Sequence, residues 1–243
     1  MASSTYRRVR HAAIDRLLRS LNRELLLRTQ CAFGGGTLVA LCYGEHRESI
    51  DIDFLCSSGT GYRLLRETLF GTRLEPLVGK LALARDPVMD RDGIRTFLVD
   101  PSGTSPPVKL EVILEGRIVI EIENDAKFPV PRLSPGCLMA EKLLANVDRG
   151  GAASESGKDF IDLLAMLRRE PAVTFAAGLK LAAAAYGKAV RKALDDSIRA
   201  HSNAALRKAR LEALGVEDAW FDAEAGWKVA MMTALKQAKR RAG

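Results

Sequence analysis

The sequence is poor in the residues that build zinc sites and disulfide frameworks. It contains four cysteines and three histidines among 243 residues, and no two cysteines form a Cys-x-x-Cys pair. A zinc site therefore lacks a ligand set, and we expect buried free thiols in a reducing compartment. No apolar run reaches the roughly 18 residues of a membrane span. The first residues contain no apolar signal-peptide core, so we expect a cytoplasmic protein.

What the sequence does have is an ordinary globular composition with an uneven distribution of charge. Hydrophobic residues make up 47% and charged residues 28%, which excludes disorder and low-complexity repeats as the main organisation. Residues 172–243 contain 13 Lys and Arg against 7 Asp and Glu, and so hold most of the net charge of +7. Such a basic segment suits a polyanionic partner, although a solvated basic helix surface would have the same composition.

Hydrophobic spacing predicts a mixed first half. Residues 5–28 have the pattern of one amphipathic helix, and Ile50–Cys56 alternates as a strand. Further strands are predicted at Ala82–Arg85, Gly93–Asp100, Val108–Leu114 and Ile118–Ile122, and a helix at Tyr62–Phe70.

The second half is predicted to be helical. Helices are expected at Leu138–Val147 and Lys158–Arg169, separated by a Gly/Ala/Ser loop over Asp148–Gly157, with two or three Ala-rich helices over 172–243. Three prolines between Pro129 and Pro135 mark a boundary. We therefore expect an α+β fold, with an α/β domain over residues 1–130 and a helical domain over residues 131–243.

Two aspartates in the first predicted strand form a candidate metal site. Asp51 and Asp53 are two positions apart, so their side chains leave the same face of a strand. Ile50, Ile52 and Phe54 alternate with them and are expected to face the core. Two adjacent like charges repel, and a divalent cation such as Mg²⁺ or Mn²⁺ would offset that repulsion with an all-oxygen ligand set. An exposed strand with two solvated aspartates is the alternative.

A glycine turn precedes these aspartates. Gly34, Gly35 and Gly36 are followed by Thr37 and a short apolar helix. A glycine turn that opens a helix presents backbone N–H groups to phosphate oxygens and permits close approach of the phosphate. A tight turn without a ligand has the same composition. The order of glycine turn, helix and Asp-x-Asp strand favours a phosphate cradle beside a metal site.

A third carboxylate would be required for two-metal nucleotidyl transfer. Glu111 is the candidate, because it is alone among apolar residues of a predicted strand, where an unpaired carboxylate is costly. Lys109 is on the same face and could pair with Glu111 or with phosphate. A Lys–Glu ladder on a half-exposed strand is the alternative, and Glu121 and Glu123 are the substitutes.

These motifs together resemble a known family. Gly35-Gly36-Thr37-Leu38 and Arg47-x-Ser49-x-Asp51-Ile52-Asp53-Phe54 resemble the nucleotidyltransferase signature of the DNA polymerase β superfamily. The resemblance is closer to the AbiEii/AbiGii-type toxins of bacterial toxin–antitoxin and phage-defence systems, because Glu141–Ala145, Asp148-Arg149 and Lys158–Leu163 are similar to that family's downstream helical motifs. The similarity spans residues 33–167. It implies a polymerase β-like fold, a mixed sheet with flanking helices, followed by a helical region that completes the active-site cleft.

The resemblance also implies roles for individual residues. Asp51 and Asp53, with Glu111 as the third carboxylate, would hold the metal ions. The residues that would bind and position the triphosphate are Gly35, Gly36, Thr37, Arg47 and Ser49.

Two residues of the helical half would complete the site. Lys142 would contact nucleotide phosphate. Asp159 would be a further essential acid that orients Lys142 or Arg149 rather than binding metal.

The implied activity is metal-dependent transfer of NMP from an NTP to an RNA acceptor, such as the 3′ end of tRNA. The protein would be a toxin with a separately encoded antitoxin, and its basic C-terminal helices would bind the RNA backbone. Two alternatives stay open. The same chemistry can modify a hydroxyl of a protein or a small molecule, and a nucleotide-binding protein without turnover would need the same phosphate and metal contacts.

Overall fold

The chain divides into two compact units in the computed structural model, which describes residues 6–91, 93–149, 157–216 and 226–242. The first unit comprises Met1–Leu41 and Ser49–Ser134, and the second comprises Cys42–Glu48 and Pro135–Gly243. The short segment Cys42–Glu48 thus groups with the helical unit, although it is flanked on both sides by the first unit in sequence.

A mixed sheet forms the first unit, as expected for an α+β fold. Its strands are β1 Cys31–Phe33, β2 Ile52–Cys56, β3 Leu83–Met89, β4 Gly93–Leu98, β5 Val108–Leu114, β6 Ile122–Glu123 and β7 Arg132–Leu133. The order across the sheet is β3-β4-β5-β2-β1-β7-β6. The pairs β2–β5 and β1–β7 are parallel, and the other neighbours are antiparallel. The central strand β2 therefore places its aspartate next to β5.

Helices of the first unit are α1 Val9–Ser20, α2 Arg23–Arg28, α3 Gly35–Cys42, which ends in the second unit, α4 Gly59–Leu69 and α5 Glu75–Val78. The prediction of one continuous helix over residues 5–28 is wrong, and residue 5 lies outside the described residues. Leu21 is extended and Asn22 caps a new helix by accepting a hydrogen bond from the backbone N–H of Leu25 at 3.0 Å. The apolar spacing does not reveal this break, because Leu21 is buried like the apolar residues of the two helices.

Two strand predictions also need correction. Ile50 and Asp51 both lie outside β2, which begins at Ile52, so the two aspartates are not in one strand. Ile50 is 38% exposed and does not face the core. The predicted strand Ile118–Ile122 is almost absent, since only Ile122 belongs to β6 and Val119 is 81% exposed. The strand β3 extends past Arg85 through Pro87, which an edge strand tolerates because one row of its backbone N–H groups needs no partner.

The second unit contains the helices α6 Pro135–Arg149, α7 Lys158–Leu167, α8 Ala172–Tyr186, α9 Lys188–Ser202, α10 Ala204–Ala213 and α11 Trp227–Ala242. Residues 172–243 thus contain four described helices rather than two or three, because Gly187 ends α8 and Asn203 caps α10. The predicted loop Asp148–Gly157 is wrong at its start, where α6 continues through Arg149, and its residues 150–156 lie outside the described residues. No helix in the described ranges is long and apolar enough to cross a membrane.

Candidate active site

The glycine turn packs directly against the second aspartate of the Asp-x-Asp pair. Gly34 donates its backbone N–H to the Asp53 carbonyl at 2.8 Å, which fixes the turn on β2. Gly35 has φ +69°, and a Cβ at this position would lie 2.4 Å from Asp53 Oδ2. No side chain fits there, because the left-handed backbone and the close approach both require glycine. The turn at the start of α3 and the Asp53 carboxylate therefore share one small volume.

Thr37 and Ser49 form a second contact beside this turn. Thr37 is fully buried, and its Oγ1 donates to Ser49 Oγ at 2.9 Å. Ser49 in turn donates its backbone N–H to Nε2 of the buried His11 at 3.2 Å, so this His11 nitrogen is unprotonated. The structure thus brings Thr37 and Ser49 together, with Thr37 positioning the serine hydroxyl. Sequence reasoning missed His11, which had no motif around it.

Asp53 and Glu111 are paired in register across the parallel strands β2 and β5. Glu111 is not free, however, because both of its oxygens are bound by cations. Its Oε1 accepts from Arg95 Nε at 2.6 Å and its Oε2 accepts from Lys109 Nζ at 2.6 Å. Burial raises the pKa of Glu111, but these hydrogen bonds and the two positive charges outweigh it, and the net pKa shift is downward. Glu111 as a third metal ligand stays a prediction.

Lys109 connects all three carboxylates electrostatically. Burial lowers its pKa, but the hydrogen bond to Glu111 and the attraction of Glu111, Asp51 and Asp53 raise the pKa above its ordinary value. Asp51, Asp53 and Glu111 are each half-buried. Among the described residues no group of three or more His, Cys, Asp or Glu side chains is placed to hold a metal ion. Asp51 and Asp53 as metal ligands stay a prediction.

Glu121 and Glu123, the alternative candidates for the third carboxylate, lie at the far edge of the sheet. Glu123 belongs to β6 at the far edge and accepts a hydrogen bond from Arg132 at 3.2 Å. Two strands, β1 and β7, separate it from β2, and Glu121 immediately precedes β6. Neither glutamate is near the strand that carries Asp53.

The second unit contains a buried charged cluster centred on Asp162 in α7. This carboxylate is fully buried and receives four contacts. Arg47 donates from Nε at 2.7 Å and from Nη2 at 2.8 Å, His46 Nε2 lies at 2.9 Å, and Lys142 Nζ lies at 2.8 Å. These contacts fill the roughly four acceptor positions of a carboxylate. The structure therefore places Arg47 in an ion pair of the helical unit.

Asp159, one helical turn before Asp162 in α7, holds the other side of the same cluster. It accepts from Lys142 Nζ at 3.1 Å and from Arg149 Nη2 at 2.8 Å. Lys142 thus lies between two carboxylates, and Arg149, whose side chain is 40% exposed, extends from the cluster. The three cations Arg47, Lys142 and Arg149 face two carboxylates, which leaves one excess positive charge among these five groups.

Electrostatic attraction keeps both Asp162 and Lys142 charged. Burial alone would raise the pKa of Asp162, but Arg47 and Lys142 hold that pKa well below its usual range. Burial likewise lowers the pKa of Lys142, but attraction to Asp162 and Asp159 raises the pKa on balance. Burial lowers the pKa of His46 in spite of its contact with Asp162, so His46 stays neutral.

Sequence reasoning assigned no role to Asp162 or His46, although one signal was present. Asp159 and Asp162 are three residues apart in an otherwise apolar helical stretch, which puts both on one face. Two carboxylates on the buried side of a helix need cationic partners. Those partners include Arg47, 115 residues earlier in the chain, and the sequence gives no local sign of that pairing.

Comparison with known proteins agrees with this architecture. The family model described as the nucleotidyl transferase AbiEii toxin of type IV toxin–antitoxin systems matches residues 16–239. No curated relative matches the sequence. Among solved structures, JHP933 from Helicobacter pylori is 17% identical with a TM-score of 0.51, covering 99% of this chain and 97% of that one. MenT4, a nucleotidyltransferase toxin from Mycobacterium tuberculosis, is 18% identical with a TM-score of 0.50, covering 96% and 90%.

A further structure, a protein from H. pylori whose description is a putative nucleotidyltransferase, is 18% identical with a TM-score of 0.51 and covers 95% of both chains. At these identities the likeness shows the fold alone, which is nucleotidyltransferase-like. The family match extends over most of the chain, so the protein is a nucleotidyltransferase. It belongs to the AbiEii toxin family of toxin–antitoxin systems.

Proposed function

We propose that this toxin transfers NMP from an NTP to an RNA acceptor in a reaction that depends on Mg²⁺ or Mn²⁺. The observation that carries the proposal is the contact between Gly35 and the Asp53 carboxylate. A turn with phosphate-binding backbone donors and a carboxylate suited to a divalent cation meet there, and an NTP–metal complex needs both.

The proposed metal ligands are Asp51 and Asp53, whose oxygens are the donors that hard cations prefer. A bound divalent cation supplies charge neutralisation at the triphosphate and lowers the pKa of the attacking hydroxyl. Backbone N–H groups of Gly35 and Gly36, at the start of α3, donate to phosphate oxygens. The Lys109 ammonium reduces the mutual repulsion of the three carboxylates before substrate binds.

In the helical unit, Arg149, whose side chain is 40% exposed, is assigned to anionic parts of the substrates, and the buried Lys142 lies between Asp159 and Asp162 behind it. Their side chains are oriented by Asp159, and Asp162 holds Lys142 and Arg47 from the other side. The partly exposed Arg149 guanidinium carries a positive charge, which favours an anion over a neutral ligand. Fixing the cations in advance removes the cost of ordering them when the substrate binds.

Several exposed cations of the C-terminal helices support an RNA acceptor over a small one. Their ammonium or guanidinium groups form no ion pair within the described part of the chain, and they are Lys180, Lys188, Lys228, Lys236 and Arg240. Unpaired surface cations release counterions when they meet a polyanion, which strengthens binding at low salt. The family's toxin–antitoxin context supports a separately encoded antitoxin as a second partner.

The test is a transfer assay with each labelled NTP in turn, total tRNA and Mg²⁺ or Mn²⁺. Asp53→Asn is the decisive variant, because it removes the charge and keeps the size of the side chain. Asp86→Asn is the matched control, since Asp86 is an exposed aspartate of the edge strand β3. We expect label to move to tRNA with the wild type and with Asp86→Asn, and at least about 100-fold more slowly with Asp53→Asn.

Other outcomes would select the alternatives. Label that moves to a protein or a small hydroxyl compound, but not to RNA, would mean that the acceptor is not RNA and that the transfer chemistry is correct. Tight NTP binding without pyrophosphate release for any acceptor would indicate a nucleotide-binding protein without turnover. Equal transfer by Asp53→Asn and the wild type would remove Asp53 from the mechanism.

A further inference from the structure

The first unit has an open groove formed by α4, the end of β3 and the end of β5. Its volume is about 780 Å³, within the roughly 300–1,000 Å³ of ligand sites. Phe70, directly after α4, lines the groove and is 81% exposed. Leu114 lines the same groove and is 36% exposed, and exposed apolar surface that is rimmed by polar groups indicates an interaction site.

Arginines surround the Phe70 ring. Arg63 and Arg66 are three residues apart and so lie on one face of α4, which Phe70 follows directly, and Arg91 follows the end of β3. None of the three arginines forms an ion pair within the described residues. Glu67 is the acidic residue among those that line the groove, so the lining has an excess of two positive charges.

We propose that this groove binds single-stranded RNA, with a base stacked on Phe70 and phosphates held by Arg63 and Arg91. Base stacking on an aromatic ring and backbone contacts from arginine are the two components of single-strand recognition. Arg66 lies over the Tyr62 ring at 6.0 Å, which holds its guanidinium at the groove wall. The inference rests on the proposed RNA acceptor and adds where that acceptor is bound.

The groove is separate from Glu111 and the neighbouring aspartates, so an acceptor that contacts both places must be a polymer. Leu114 lines the groove, and it is three residues after Glu111 in β5. Three strand residues span about 10 Å, and the odd spacing puts the two side chains on opposite faces of the sheet. A small acceptor molecule cannot occupy both places at once, whereas an RNA strand can.

The experiment measures binding of a fluorescent single-stranded RNA by anisotropy over a series of salt concentrations. Phe70→Leu keeps apolar area and removes the flat ring, whereas Phe70→Tyr keeps the ring. We expect Phe70→Leu to raise Kd about 10-fold and Phe70→Tyr to bind like the wild type. Arg63→Ala/Arg91→Ala should weaken binding and reduce the salt slope of log Kd by about 1.4, or about 0.7 per phosphate contact.

A matched double variant controls for lost charge. Arg28→Ala/Lys127→Ala removes two exposed cations of the same unit that do not line the groove. We expect a much smaller change in Kd and slope than for Arg63→Ala/Arg91→Ala. Melting temperatures of all variants verify folding. In the transfer assay, Phe70→Leu should raise KM for RNA and leave kcat at saturating RNA unchanged, because Phe70 touches no reacting group.

Several outcomes overturn the inference while leaving the proposed function intact. One is transfer to RNA that depends on Asp53 but with equal KM in the wild type and Phe70→Leu. Another is equal loss of RNA affinity in the two double variants, which would mean that only net charge matters. Unchanged RNA binding combined with loss of a protein partner in Phe70→Leu would assign the groove to that protein. Absence of RNA binding by the wild type would instead overturn both the inference and the RNA acceptor of the proposed function.

Discussion

Removal of the Asp162 charge tests the electrostatic organisation of the helical unit. Asp162→Asn keeps the shape of the side chain but replaces one acceptor oxygen with a donor. Both oxygens are occupied, one by Arg47 Nε and His46, the other by Arg47 Nη2 and Lys142. In either amide orientation, an N–H group must therefore face a donor of Arg47. The buried cations Arg47 and Lys142 also lose the negative charge that they share.

The expected loss of stability is that of removing one partner from a buried ion pair. Loss of one partner typically destabilises a protein by about 3–5 kcal/mol, because the remaining charge stays buried without compensation. For a chain of this size, each kcal/mol corresponds to about 2–4 °C in Tm. We therefore expect Asp162→Asn to lower Tm by roughly 6–20 °C, measured by calorimetry at pH 7.5.

The control is Asp196→Asn on α9. Asp196 is also an aspartate with two cationic partners, Lys192 and Arg199, but its side chain is 42% exposed. Solvent screens such surface pairs, so Tm should hardly change. Equal losses of Tm in Asp162→Asn and Asp196→Asn would refute the argument that burial makes the Asp162 cluster important.

Three further perturbations have definite expected results. Gly35→Ala should reduce transfer at least 10-fold, because the added Cβ would lie 2.4 Å from Asp53 Oδ2. Gly103→Ala is the control, since Gly103 has φ +66° and no atom lies within 4 Å of the added Cβ. It should cause similar backbone strain and leave transfer intact. Glu111→Gln should slow transfer less than Asp53→Asn, since the amide oxygen can still accept from Arg95; equal losses would support Glu111 as a metal ligand. Burial lowers the pKa of His201 to about 4, against about 6.5 in an unfolded chain, so its stabilising contribution is present above pH 6.5 and is lost as pH falls to 4. Urea unfolding at pH 7.5 and 4.5 should therefore show an acid loss of stability that is about 2.5 kcal/mol smaller in His201→Gln, and equal losses would contradict the assignment.

Local sequence patterns predicted much of the sheet. The strands β4 and β5 have period-two alternation between turn residues, and both formed close to the predicted positions. The break between α1 and α2 was missed because Leu21 keeps the apolar spacing while its backbone is extended. Ile118–Ile122 is apolar enough for a strand, but its neighbours in the fold leave Val119 exposed instead of pairing it.

Part of the candidate site could likewise be predicted from local sequence patterns, and part could not. Asp51, Asp53 and the glycine turn could be singled out because two carboxylates at the beginning of an apolar segment and consecutive glycines are unusual locally. The pairing of Arg47 and His46 with Asp162 could not, since it joins residues more than 100 positions apart. Nor could sequence alone reveal that Arg95, in the neighbouring strand β4, binds the glutamate expected to be a ligand.

The most direct test of the central claim is transfer of labelled NMP to tRNA by the wild type, Asp53→Asn and Asp86→Asn, with and without a chelator. Divalent-metal chemistry at Asp53 predicts labelled tRNA with the wild type and Asp86→Asn, and loss of labelling with Asp53→Asn or the chelator. Labelling that persists in Asp53→Asn at the wild-type rate, or that resists the chelator, would contradict it.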